Sequence, residues 1–181
     1  MKYLLTIIIL SCIGCSHNAN YLIKKGKVGK IHSKSIVKEI DSLFSNDSIV
    51  KRIGGGDYMF ESEDKYLIYD NSNNHLLTLI PKQQHDRNEK IETIQIFSNK
   101  FQTSKGININ SSFGDINNKH KISSIQNTIN NVVVFVDEID AYFIIDKENF
   151  ALELRIGTEK KIESINIPSN SKIKRFMIGW N

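Results

Sequence analysis

The chain has 181 residues, 40% hydrophobic and 24% charged, with a formal net charge of +4. These values give one substantial core rather than two domains, and they exclude a disordered or collagen-like chain. The mild, scattered positive charge does not demand nucleic acid, and the two cysteines, both in the first fifteen residues, leave no disulfide framework.

Residues 1–14 read as a leader. Lys2 is followed by the apolar run YLLTIIIL at 3–10, too short to span a bilayer as a helix, and then by Ser11-Cys12-Ile13-Gly14-Cys15-Ser16. Small residues before a thiol resemble the lipobox of bacterial lipoproteins, in which the Cys is acylated and becomes the new N-terminus. Gly14 before Cys15 and Ser11 before Cys12 are both possible frames; Cys15 is preferred because the other leaves a very short signal. The alternative is a cleaved secretory signal with two incidental thiols. Residues 15–27 are then a lipidated tether, ending in lysines that face either anionic lipid or plain solvent.

Residues 28–181 read as a single α+β domain. Shifted by 76 residues, Asp64-Lys65-Tyr66-Leu67-Ile68-Tyr69-Asp70 falls on Asp140-Ala141-Tyr142-Phe143-Ile144-Ile145-Asp146, and residues 31–80 lie over 107–156 without a gap. After a short deletion, the alternating run from Lys90 (KIETIQIFS) overlays that from Lys161 (KIESINIPS). The expectation is two tandem repeats, 28–98 and 99–181, each a short helix followed by four or five antiparallel strands.

Residues 33–44 carry apolar side chains at helical spacing behind capping serines; 111–120 repeat the pattern more weakly, with Gly114 and two Asn lowering propensity. Strands are expected at 49–53, 57–61, 65–70, 75–80 and 91–97. A second set falls at 121–125, 132–136, 141–146, 151–156 and 162–167, with a closing strand at 172–180. Strict alternation in IETIQI and IESINI implies one buried and one solvated face, whereas the wholly apolar VVVFV at 132–136 implies a strand covered on both faces.

Chemistry-bearing patterns are sparse. Asp137, Glu138 and Asp140 form the densest acidic cluster, but without the glycine and ligand spacing of a calcium loop; they read as a hairpin corner. Gly54-Gly55-Gly56 lacks the Lys-Ser or Lys-Thr of a phosphate loop and precedes a strand. The five histidines have no metal-ligand spacing, and no serine lies in a nucleophile elbow. Glu92 and Glu163 recur at equivalent places in the repeat. They are surface candidates for paired-carboxylate work or, more simply, solvated strand faces. Lys172, Lys174, Arg175, Phe176 and Trp180 read as a charge-protected edge strand.

The segment Phe101-Gln102-Thr103-Ser104-Lys105-Gly106-Ile107, running on through Asn108 to Ile116, resembles a pattern in small envelope lipoproteins of Gram-negative bacteria. There a Thr-x-x-Gly-Ile strand enters a small-residue turn and a helix before an antiparallel sheet. In overall architecture the tandem helix-plus-sheet unit also resembles beta-lactamase inhibitor protein and small lipoproteins of outer-membrane assembly, which use sheet surfaces to bind proteins. These resemblances imply an envelope location, most simply the outer membrane facing the periplasm, with a protein partner. The membrane would be contacted through the lipid at Cys15, with no nucleic acid and no cofactor. A non-catalytic binding or scaffolding module is the leading expectation; an envelope hydrolase or small-ligand carrier is the other.

Overall fold

In the computed structural model, residues 19–55 and 63–180 are described. The leader, Cys12 and Cys15, and the expected strand at 57–61 lie outside them. A short 3-10 turn (Ala19–Tyr21) leads into β1 (Leu22–Lys24), β2 (Lys27–Val28) and β3 (Ile31–His32). After α1 (Ile40–Leu43) come β4 (Ser48–Arg52), β5 (Lys65–Tyr69), β6 (His75–Pro81), β7 (Ile91–Ile96) and β8 (Gln102–Thr103). Helix α2 (Phe113–Lys119) precedes β9 (Ser124–Asn127), β10 (Asn131–Val136) and β11 (Ala141–Asp146); α3 (Leu152–Arg155) and β12 (Ile173–Gly179) follow.

The fold is mixed α+β with few helices and two antiparallel-rich sheets. The large sheet has the order β4-β5-β6-β7-β12-β11-β10-β9; the small one, β3-β2-β1-β8, pairs β1 with β8 in parallel. Register places Leu77, Leu79, Ile94, Ile96, Phe176, Ile178, Phe143 and Val134 on one face of the large sheet. These side chains form one core with Ile23, Val28 and Ile31 of the small sheet, Ile40 and Phe44 at α1, and Phe113 and Ile116 of α2. Apolar contact between the sheet's inner face and this second layer is what holds the domain together.

The first helix is shorter than its periodicity predicts. Ser33–Ser35 is consumed by a turn in which Ser35 N–H donates to His32 O, and a 3-10 turn at Val37–Glu39 leaves only Ile40–Leu43 as α-helix. Helix α2 is the better formed. Ser112 caps it, its Oγ accepting from Asp115 N–H while the Asp115 carboxylate accepts from Ser112 N–H at 2.8 Å.

Five expectations are corrected. The segment with Lys172, Lys174, Arg175, Phe176 and Trp180 is not an edge strand, since β12 is paired on both sides, with β7 and β11. Residues 151–156 are not a strand but α3 and its flanks, with Ile156 81% exposed, and residues 162–167 form a 3-10 turn at Ser164–Asn166. Both edges of β11 are taken, by β10 and by β12, so neither segment has a partner beside it. The run at 132–136 is covered on one face only: Val132, Val134 and Val136 are buried while Val133 and Phe135 are half-exposed. Residues 22–27, read as part of the tether, belong to β1, its turn and the start of β2, with Ile23 fully buried.

The 76-residue shift is not kept in space. It lays β4 on β9, but β5 on β11, whereas counting inward from the two sheet edges pairs β5 with β10 and β6 with β11. The sheet order does read alike from either edge. Ile36, before the first helix, bridges Lys90 before β7, as Ser112 at α2 bridges Lys172 before β12.

Candidate functional site

The acidic corner is built into the fold. Asp137–Ile139 is a 3-10 turn, and Asp140 adopts a left-handed backbone (φ 53°), which lets its carboxylate accept from Gly26 N–H at 2.8 Å. Glu138 accepts from Lys105 Nζ at 2.9 Å and from the buried His120 Nδ1. Lys105, and then His120, hold the Glu138 carboxyl below its ordinary range. In a neutral ring, Nδ1–H donates to Glu138 and leaves His120 Nε2 to accept from the Thr103 hydroxyl at 3.1 Å, while Thr103 Oγ1 accepts from Ile107 N–H at 3.2 Å.

Thr103, His120 and Glu138 thus stand in the order of nucleophile, base and orienting acid. Thr103 is fully buried, however, and its hydroxyl already serves a backbone N–H and an imidazole. No substrate reaches it. The chain joins the Thr-x-x-Gly-Ile turn to the C-terminal end of α2 and to the corner before β11. Sequence reading found Thr103 and Glu138 separately and missed their link through His120. A 17-residue separation with no motif gives no local signal.

Glu92 and Glu163 are not brought to equivalent places. Glu92, in β7, lines a hollow of about 340 Å³ with Glu63, Thr93, Tyr142 and Met177. Burial, with Glu63 and Glu92 adding to it, pushes the Tyr142 phenol up. Glu163 is exposed beside a 3-10 turn, paired with Lys161 at 2.8 Å, which lowers its carboxyl. Of the strand-face reading, Glu92 alone fits.

The second face of the large sheet is the broadest candidate surface. Register puts Val50, Leu67, Thr78, Gln95, Met177, Tyr142, Phe135 and Val133 there, across β4 to β10. None joins the core cluster, although Leu67 and Met177 are buried. Phe135 and Tyr142 stack with centroids 5.8 Å apart, and toward the other half Tyr69, His75 and Phe97 form a continuous stack at 4.7 and 3.8 Å. Burial lowers the basicity of His75, whose Nε2 lies 3.0 Å from Thr78 Oγ1.

Two clefts lie off this face. One, of about 380 Å³, has Tyr21, Phe44, Leu76 and Phe101 as apolar lining and the pairs Lys30–Asp47 (3.8 Å) and Lys100–Asp70 (2.8 Å) on its walls. Lys100, with backbone N–H groups of Asn74 and Ser72, drives the Asp70 carboxyl far below the usual range. The other, about 270 Å³, exposes Asp41, Lys51 and Arg87 around the buried Asp64, whose oxygens accept from Gly54 N–H (3.1 Å) and His85 N–H (2.7 Å). Gly54 here donates to a buried carboxylate, while Gly56 and the segment expected to follow it as a strand lie outside the described residues. Among the described residues, no group of three or more His, Cys, Asp or Glu is placed to hold a metal, and no helix is long and apolar enough to cross a membrane.

No protein-family model matches this chain, and no curated protein does. Among solved structures it is similar to the uncharacterized protein yfeY from Escherichia coli. The TM-score is 0.54 at 11% identity, covering 88% of this chain and 99% of that one. At that identity the likeness is one of fold, shared with a Gram-negative bacterial protein of unknown function.

Proposed function

We propose that this chain is a lipid-anchored cell-envelope lipoprotein acting as a non-catalytic protein-binding or scaffolding module. The partner would dock on the second face of the large sheet, and the protein would stand on the outer membrane, facing the periplasm. The observation that carries this reading is the apolar and aromatic row that runs from half-exposed Val133, Phe135 and Tyr142 to the buried Met177 and Leu67, all outside the core cluster. Partly buried aromatics within a polar rim are the residues that most often supply interface energy. The anchor rests on the Gly14-Cys15 lipobox, and the palindromic sheet order supports descent from a duplicated helix-plus-sheet unit.

The test is site-specific photocrosslinking from residue 142 in the full-length chain in its own envelope, with residue 160 as control. One discrete adduct from 142 only, lost in a Met177→Asp variant that folds normally, is the expected result. No adduct, or the same ladder from both positions, sinks the proposal.

A second reading is favoured by one observation, the cleft between Tyr21, Phe44 and Phe101 with a Lys–Asp pair on each wall. It suits a small ligand with an apolar body and both charges. Native mass spectrometry of protein purified from its own envelope would show that ligand as a discrete mass lost in Phe101→Ala.

A further inference from the structure

The first acid in the sequence is Glu39; between Ala19 and Lys38 there are six lysines and no carboxylate. The small sheet arranges these charges rather than scattering them. Ile23, Val28 and Ile31 form one cross-strand row, all fully buried. The next row, on the opposite face, is Lys24 opposite Lys27 opposite His32, with Lys24 and His32 exposed and Lys27 half-exposed. Lys25 and Lys34 are exposed beside that row, and Leu22 and Gln102 continue the same face. Two lysines directly opposite each other across an antiparallel pair repel, so this pairing opposes the sheet it belongs to.

The nearby acids form no ion pair with the lysines of this face, although the Asp140 carboxylate lines a hollow with Lys25. Asp140 accepts from Gly26 N–H in the β1–β2 turn, Glu138 pairs with Lys105, and Asp47 pairs with Lys30. Lys24, Lys25, Lys27 and Lys34 have no ion pair among the described residues. The face also lies where an anchor would emerge. From Cys15 to Ala19 is four residues, at most about 14 Å fully extended, and β1 begins directly after the turn at Ala19–Tyr21.

From this geometry we propose that the Lys24–Lys27–His32 face of the small sheet is a docking surface for anionic phospholipid headgroups. A bilayer would supply the counter-charge that the fold withholds, and it would set the orientation of the domain beneath the anchor. The inference rests on the lipid-anchor reading and adds a second membrane contact to it. Acyl chains hold the protein near the surface, while lysines within a screening length of anionic lipid decide which side faces it.

The experiment uses the full-length lipidated chain in nanodiscs of phosphatidylcholine or of phosphatidylglycerol, with amine acylation rates read residue by residue. Lys24, Lys25, Lys27 and Lys34 should react about fivefold more slowly on phosphatidylglycerol, while Lys82, Lys121 and Lys160 do not change. The difference should vanish at about 1 M salt, where the screening length is about 3 Å. The Lys24→Gln/Lys27→Gln/Lys34→Gln variant should react alike at Lys25 on both discs without losing thermal stability. Equal rates on both discs for the wild-type protein overturn the proposal. Retention on phosphatidylcholine reports the anchor separately. A chain that leaves those discs but still binds phosphatidylglycerol supports the basic face and overturns the anchor; one that binds neither overturns both.

Discussion

Thr103 shows how one hydroxyl serves three parts of the chain. It accepts from Ile107 N–H, contacts His120, and through that ring reaches Glu138. Thr103→Val keeps the shape but strands a buried N–H and an imidazole nitrogen, so unfolding free energy should fall by about 1–3 kcal/mol in urea denaturation, with Thr103→Ser recovering most of it. A wild-type-like Val variant would mean the link carries nothing. Asp70 permits a sharper test in pH. Its folded carboxyl titrates well below its unfolded value near 4, so the stability it contributes is complete above that value and is lost as pH falls through the acid range. Asp70→Asn should therefore be less stable than wild type at neutral pH, and the two stability curves should converge as pH drops from about 4 toward 2. Parallel curves across that range would show that the Lys100 pair is not the source.

At the scale of elements, helix α2 corrects a propensity argument. Gly114 looks like a weakness in the sequence, yet a Cβ there would lie 2.9 Å from Ser169 O, and its N–H donates to that same carbonyl. Gly114→Ala gains up to about 1 kcal/mol of helix propensity and loses the close approach to the segment before β12. A net destabilisation of about 1–3 kcal/mol is expected from overpacking, read as a lower melting temperature; a stabilised variant would refute the contact. The same element shows what was legible. Ser112 and Asp115 announce the cap locally, and β5, β6, β7, β11 and β12 announce themselves by apolar runs between turn residues. Residues 151–156 and 162–167 carry equally good alternation but lose the competition for a strand edge, which is settled by chain more distant in sequence. Ile162 and Ile167 still reach the core from a non-strand backbone, but Ile165 between them is 88% exposed, so the alternation signals burial only in part and pairing not at all. The candidate surfaces were less legible than the fold. A sheet face outside the core, and a row of lysines across three short strands, exist only once the register is known.

Across the whole molecule, β1 against β8 joins the two halves in the small sheet, and in the large sheet they meet along one seam, β7 against β12. Phe176 sits at its middle, fully buried, opposite Ile96 on one side and Phe143 on the other, with the Phe143 ring 4.6 Å away. Truncation to Ala should cost about 3–5 kcal/mol, and because the seam is shared, near-ultraviolet and far-ultraviolet signals should unfold together in one transition. Separate transitions for the two halves would show that they are independently stable and that the seam is only a contact. The anchor is tested at this scale too. Cys15→Ser should release the protein from membranes; release by Cys12→Ser alone would move the lipid to the earlier thiol.

The central strand of the large sheet is also the last one in the described chain. Until residues 173–179 are in place, β7 and β11 each keep an open edge, and neither four-stranded set has its full hydrogen-bonded neighbourhood. The seam of β7 with β12 joins residues 93–96 to 176–179, about 80 residues apart in the chain. Loop closure must therefore precede the contacts that reward it, and slow folding from this non-local pairing is the expected outcome. During that interval the two unpaired edges are each other's nearest substitutes and also those of a neighbouring chain. The strand that completes the sheet is thus also the device that protects it from aggregation.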